Sequence, residues 1–142
     1  MSFYSNTTNQ QTVGARLYWI TGLAGSGKST IAKCLLERFV SSGRIAVYLD
    51  GDELRKVLSA TSGYSNEQRE ELAMKYARLC KLLVGQGFDV ICATISMFDG
   101  VRQWNRENIN GYIEIFLDVP LEVLIQRDQK QIYSKALAGK ME

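Results

Sequence analysis

Eight consecutive residues, Gly22-Leu23-Ala24-Gly25-Ser26-Gly27-Lys28-Ser29, constrain the fold of this chain more than any other stretch. They match the pattern G-x-x-x-x-G-K-[ST], whose mechanism requires a strand before it and a helix after it. Residues 16–21 (RLYWIT) supply a short β-favouring run, and residues 29–40 supply helical spacing, with Ile31, Cys34, Leu35 and Phe39 on one stripe. Between them the glycines let successive backbone N–H groups turn inward onto phosphate oxygens. The helix N-terminus adds its partial positive charge. In this reading Lys28 meets the β- and γ-phosphates, the Ser29 hydroxyl reaches Mg²⁺, and Thr30 closes the nucleotide-binding run. The plain alternative is a Gly-rich strand-to-helix turn with no ligand.

The rest of the chain repeats the alternation. Residues 44–50 (RIAVYLD) predict a second strand, 53–58 a short helix, 59–65 a polar loop and 66–84 the longest helix. That helix carries Leu72, Tyr76, Leu79, Cys80 and Leu83 on one face, with Glu71 and Lys75 as an i,i+4 pair outside. Residues 88–95 (FDVICATI) are almost continuously apolar, as expected of a strand covered on both faces. Residues 112–117 (YIEIFL) predict a fourth strand, and Pro120 suits the first turn of a helix after it. Strands alternating with long crossovers predict an α/β fold: a parallel β-sheet with helices on both faces. Residues 1–15 read as a flexible leader and 16–142 as one domain.

Composition narrows the chemistry. The 142 residues contain no histidine, which excludes Ser-His-Asp triads, histidine general bases and histidine metal sites. Lys plus Arg total 17 against 15 Asp plus Glu, too balanced for the electrostatic footprint of a non-specific nucleic-acid binder. Cys34, Cys80 and Cys92 lack C-x-x-C spacing and sit in apolar segments, so they read as reduced core thiols. No apolar run approaches the roughly 20 residues that span a bilayer, and the polar start of the chain carries no secretory pattern. A cytoplasmic protein with no membrane and no nucleic-acid partner is expected.

Asp50-Gly51-Asp52 falls at the C-terminal end of the second strand, where an open α/β sheet places its ligands. One carboxylate there suits a Mg²⁺-bound water and the other suits the proton of an attacking hydroxyl. An Asp-Gly turn with a helix-capping aspartate accounts for the same letters. Arg55, Arg69, Arg102 and Arg106 lie near strand ends or helix starts, where guanidinium forks suit phosphate oxygens. Arg127-Asp128 begins a polar, basic stretch, and residues 127–142 read as a lid over a nucleotide. No Asn-Lys-x-Asp guanine signature is present. A regulatory GTPase is therefore the weakest of the readings.

The runs WITGLAGSGKSTIA, YLDGDELR, GYSNEQRE, ICATISMF, IEIFLDVPLEVLIQRD and IYSKALAGK, spread from Leu17 to Lys140, closely resemble the adenylylsulfate kinase family. The resemblance implies a P-loop kinase that uses MgATP to phosphorylate the ribose 3′-hydroxyl of adenosine 5′-phosphosulfate. It implies that Asp52 is the catalytic base and Mg²⁺-associated carboxylate, alongside Lys28 in the phosphate loop. Arg55 and Arg69 then correspond to acceptor-binding arginines, with Asp50 beside them. Tyr64 takes the place of an aromatic next to the acceptor base, Ile95 and Ser96 line the acceptor pocket, Lys130 and Lys135 are lid lysines, and Arg127 flanks the nucleotide. It also implies a homodimer, leaving Trp104 and Phe98 open to either an interface or the core.

Departures from the family pattern cluster on the acceptor side. Glu53 stands where the family has Asn after its Asp-Gly-Asp, and Leu72 stands where an asparagine would hydrogen-bond the acceptor. Ile95-Ser96-Met97-Phe98-Asp99 lacks a proline and an arginine, and the lid reads Asp128-Gln129-Lys130-Gln131 where the family has Asp-Pro-Lys-Gly. Pockets that lose donors usually change ligand. The stretch ICATISMFDGVRQWNRENINGYIEIFL is also similar to a divergent branch associated with capsule gene clusters, which includes cytidine diphosphoramidate kinase. That branch implies the same chemistry on a cytidine acceptor. The family continues past the lid into a last strand and helix; ending at Glu142, the chain is expected to be a fragment or to have a sheet one strand short. A nucleotide-binding module without catalysis is the reading from another class.

Overall fold

The computed structural model describes residues 14–58, 65–128 and 131–139. In chain order the elements are β1 (Leu17–Gly22), α1 (Lys28–Ser41), β2 (Ala46–Asp50), α2 (Gly51–Leu58), α3 (Asn66–Gly85), β3 (Asp89–Thr94), α4 (Asp99–Asn108), β4 (Tyr112–Leu117), α5 (Leu121–Arg127) and α6 (Ile132–Leu137). The four strands form one parallel sheet in the order β2-β3-β1-β4. All residues of β1 and β3 are buried, whereas the outer strands β2 and β4 are mostly half-buried. This is why the third run of the sequence is apolar almost without interruption: both of its faces are covered.

The period-2 alternation of the strands divides the core into two layers. Leu17, Trp19, Val90 and Cys92 face α3 and α4, with Tyr76, Ala77, Cys80 and Val101 packed on them. Tyr18, Ile20, Ile91 and Ala93 face the other way, where Ala32, Leu35, Leu36 and Phe39 of α1 cover them. Thus α1 follows β1 on one face of the sheet, while α4 follows β3 on the other. Adjacent strands whose connections leave to opposite faces open a crevice beyond their C-terminal ends. The register brings those ends level, with Thr21 beside Thr94 and Gly22 beside Leu117.

Two expectations are corrected. The buried stripe of α1 is Ala32, Leu35, Leu36 and Phe39, whereas Ile31 is exposed. Cys34 is exposed as well, so only Cys80 and Cys92 are core thiols. Ile31 and Cys34 are three residues apart and share the outward side of the helix. The stripe predicted for α3 is right, and Glu71 and Lys75 pair at 3.3 Å. That helix begins with a capping box, Ser65 accepting from the Gln68 amide and Gln68 accepting from the Ser65 amide. Trp104 and Phe98 are half-buried and pack against the core. Among the described residues no helix is long and apolar enough to cross a membrane. The leader up to residue 13, Tyr64, Lys130 and the last three residues of the lid lie outside the described residues.

Candidate functional site

A cleft of about 820 Å³ opens at the C-terminal ends of β1, β2 and β3. One wall is the loop from Ala24 to Thr30 with Ile31; the other is Asp50, Gly51, Asp52 and Arg55, continued by Arg69, Leu72, Ala73 and Tyr76. Ile95, Ser96, Met97 and Phe98 form the end beyond β3, and Arg127 reaches in from α5. Residues assigned by sequence to a phosphate-binding loop and to an acid turn, 20 or more positions apart, therefore share one cavity.

The loop owes its shape to glycine at defined points. Gly25 and Gly27 have φ of 80° and 98°, in the region that favours glycine, and Gly27 leads into α1 as its N-cap. A Cβ on Gly22 would lie 2.7 Å from the Ser26 hydroxyl and 3.0 Å from the Leu117 carbonyl, so this position must also stay bare. Three successive carbonyls of the loop are fastened by side chains. Lys28 donates to Leu23 at 2.9 Å, Tyr133 to Ala24 at 2.7 Å and Arg127 to Gly25 at 3.0 Å. Gly22 and Leu23 do not line the cleft and serve the loop's shape. The buried hydroxyls of Ser26 and Ser96, both on the cleft, have no hydrogen-bond partner. On a cleft, such hydroxyls are available to a ligand or to water.

The opposite wall is built around Asp50. Its Oδ1 accepts the amides of Asp52 (2.9 Å) and Glu53 (3.2 Å), capping α2. Its Oδ2 accepts the hydroxyls of Tyr48 (2.8 Å) and Ser29 (3.3 Å), which ties the wall to the loop. Burial pushes the Asp50 carboxyl up, but the four hydrogen bonds outweigh it and hold the group below the ordinary carboxylate range. Asp50 is thus a carboxylate that both caps a helix and faces the site, so the two readings of this turn are not exclusive.

Gly51 is required by close packing. A Cβ there would meet the Ala93 carbonyl at 2.9 Å and the Thr94 Cα at 3.2 Å, so α2 starts flush against β3. The Tyr76 hydroxyl donates to the Gly51 carbonyl at 3.2 Å. Burial pushes that phenol up to about 12, so it remains a donor throughout the neutral range. Asp52 follows in the first turn of α2, on the cleft.

Several sequence-derived candidates lie elsewhere. Arg102 pairs with Asp99 and, at 3.1 Å, with Glu114, and Arg106 pairs with Glu114 at 2.7 Å. Both guanidinium groups serve the contact between α4 and β4 and neither lines the cleft. Lys135 is exposed on α6 and is not among the cleft residues. Conversely, Tyr48, Tyr76 and Tyr133 support the site without having been singled out for it. The alternation of Tyr48 with Asp50 on one strand face was a usable signal; for Tyr133 there was none.

The oxygen chemistry of the loop and turn suits a hard cation. The Ser29 hydroxyl and the Asp50 carboxylate are in contact, and Asp52 is two residues on. Such donors fit Mg²⁺, which keeps most of its waters and takes few protein ligands. Among the described residues there is no group of three or more metal-binding side chains, so no all-protein metal cage is present.

A parallel sheet, a glycine-shaped loop into α1 and an acid turn on the facing wall define the class of P-loop kinases. Comparison with known proteins gives the same class: the Mycobacterium tuberculosis APS kinase CysC, solved in complex with AMPPNP and APS, superposes with a TM-score of 0.84 at 34% identity, covering 91% of this chain and 77% of that one. The family model for adenylylsulphate kinase matches residues 14–142, and the chain belongs to that family. It is 45% identical over 121 residues to the cytidine diphosphoramidate kinase of Campylobacter jejuni, covering 85% of this chain and 71% of that one. It is 44% identical over 126 residues to the adenylyl-sulfate kinase of Pseudomonas aeruginosa, covering 87% of this chain and 64% of the relative's length.

Proposed function

We propose that this chain is an ATP-dependent kinase that phosphorylates the ribose 3′-hydroxyl of a nucleotide with an anionic 5′ tail, adenosine 5′-phosphosulfate in the first instance. The observation that carries the reading is the 3.3 Å contact between Ser29 of the loop and Asp50 of the acid turn, which brings the two walls together on one cleft. A cytidine diphosphoramidate acceptor is the second reading, favoured by the Campylobacter relative and by Leu72 in the cleft wall.

In this mechanism the loop amides and Lys28 hold the triphosphate, and Ser29 and Asp52, with Asp50 beside them, would hold Mg²⁺. The ion, when bound, neutralises phosphate charge. Asp52 orients the 3′-hydroxyl and takes its proton as the new P–O bond forms and the bond to the β-phosphate oxygen breaks, releasing ADP. Arg55 and Arg69 grip the 5′ tail. Ile95 and Ser96 close the acceptor end, and Arg127 flanks the nucleotide. A cytoplasmic location agrees with this substrate chemistry.

The test is a panel of 5′-substituted nucleosides, including both named acceptors, with MgATP and a Lys28→Ala control. Acceptor-dependent ADP release above the control is expected, and the preferred acceptor decides between the two. MgATP binding with no turnover on any acceptor would instead identify a non-catalytic nucleotide-binding module.

A further inference from the structure

In the phosphate-cradle reading the loop turns backbone N–H groups toward the cleft, and the carbonyls of those peptides turn away from it. A trans peptide holds its C=O and N–H in opposite directions in one plane, and no peptide bond in the described residues is cis. Fastening the Ala24 carbonyl on the outside therefore aims the Gly25 N–H the other way. The Tyr133 hydroxyl makes that fastening at 2.7 Å, across a sequence separation of 109 residues. Gly25 has no side chain to resist rotation of this peptide, and its φ of 80° is held only by what surrounds it.

Tyr133 is itself well anchored. Its backbone amide donates to Asp128 Oδ1 at 3.0 Å, and the next amide, Ser134, donates to Oδ2 at 3.2 Å. Asp128 and Gln131 both have positive φ, 28° and 53°, in a region that L side chains seldom adopt. The two amide bonds to Asp128 fix where α6 begins, and so where the phenol arrives. Arg127 makes the second link, to the Gly25 carbonyl, and Leu124 of the same helix lies against Gly25.

We propose that Tyr133 is a positioning residue for the phosphate loop: its hydroxyl sets the plane of the Ala24–Gly25 peptide, so that nucleotide affinity depends on α6. The inference rests on reading the loop as a phosphate cradle, but not on the identity of the acceptor. Tyr133 does not line the cleft and acts through a loop peptide, so its effect falls on the donor nucleotide. Arg127 shares the load, so the loop should be loosened by loss of the phenol without being lost.

The experiment is Tyr133→Phe in the 142-residue chain. The ring stays and only the hydroxyl goes. MgATP titration without acceptor should show a dissociation constant about five- to tenfold weaker than the parent, the scale of one hydrogen bond. KM for ATP should rise with it, while KM for the acceptor stays put. In nucleotide-free protein the Gly25 amide resonance should shift, with those of α3 unmoved. Unchanged MgATP affinity in the variant, or amide shifts spread across α3 as much as the loop, overturns the proposal. If the parent chain itself fails to bind MgATP, the phosphate-cradle reading falls and this inference falls with it. An equal rise in both KM values also overturns it, because it places the phenol on the acceptor side.

Discussion

The two walls of the cleft recognise by different means. In the proposed mechanism the loop wall works through backbone N–H groups; the loop is shaped by Gly25 and Gly27 and secured by hydrogen bonds to three successive carbonyls. The acid wall uses side chains: Asp52, Arg55, Arg69 and the apolar surface of Leu72 and Tyr76. Backbone recognition is indifferent to most substitutions around it, whereas side-chain recognition changes with each one. The sequence follows this division. The motif from Gly22 to Ser29 is complete, while Leu72 on the other wall and Met97 at the end beyond β3 depart. In the proposed mechanism one wall therefore serves the donor, and the other is where acceptor choice is open to change.

Four substitutions sharpen or break that contrast, taken from the largest effect down. Lys28→Ala should lower kcat/KM by about a thousandfold and weaken MgATP binding as well, since it strikes the donor wall; turnover near the parent's would remove this residue from the chemistry. Asp52→Asn should lower kcat by about a hundredfold or more and leave MgATP affinity within about twofold of the parent. A matching collapse of nucleotide binding in a folded variant would show that the walls are not separable. Gly51→Ala forces a Cβ against the β3 backbone. It should destabilise the fold by about 1–3 kcal/mol, seen as a drop in Tm of about 3–8 °C.

The smallest effect concerns pH. Asp50 is held below its ordinary range, so its contribution to stability is fully present above the unfolded value of about 4. It is lost as pH falls through the lower folded value. Tyr48→Phe removes one of the donors responsible and raises the folded value toward the unfolded one. The parent should then exceed the variant in Tm by about 2–4 °C at neutral pH, with the gap closing below about pH 4. A gap that stays constant with pH would assign the phenol to packing alone.

Much of the fold was legible because covered strands leave a simple mark. Residues 112–117 are the observed β4, and the apolar run ending at Ile95 overlaps all of β3. The loop and the acid turn were legible as well, since their chemistry depends on residue type at fixed spacing. The outward face of α1 was misread because Ile31 is apolar for a reason other than the core: it lines the cleft. Arg102 and Arg106 were misread because their charge reveals nothing about their partner, and Glu114 lies across a helix–strand contact. Tyr133 was invisible for a related reason. A contact across 109 residues depends on how α5 and α6 fold back, not on any local pattern.

One carboxylate also spans the two sides of the cleft. Asp50 accepts two amide hydrogen bonds from the helix it caps and one from the Ser29 hydroxyl of the opposing loop, with Tyr48 donating the fourth. It is a joint between the start of α2 and the loop before α1. Substituting it would alter helix start and loop position together, so the chemistry of the neighbouring aspartate is best measured with this one left in place.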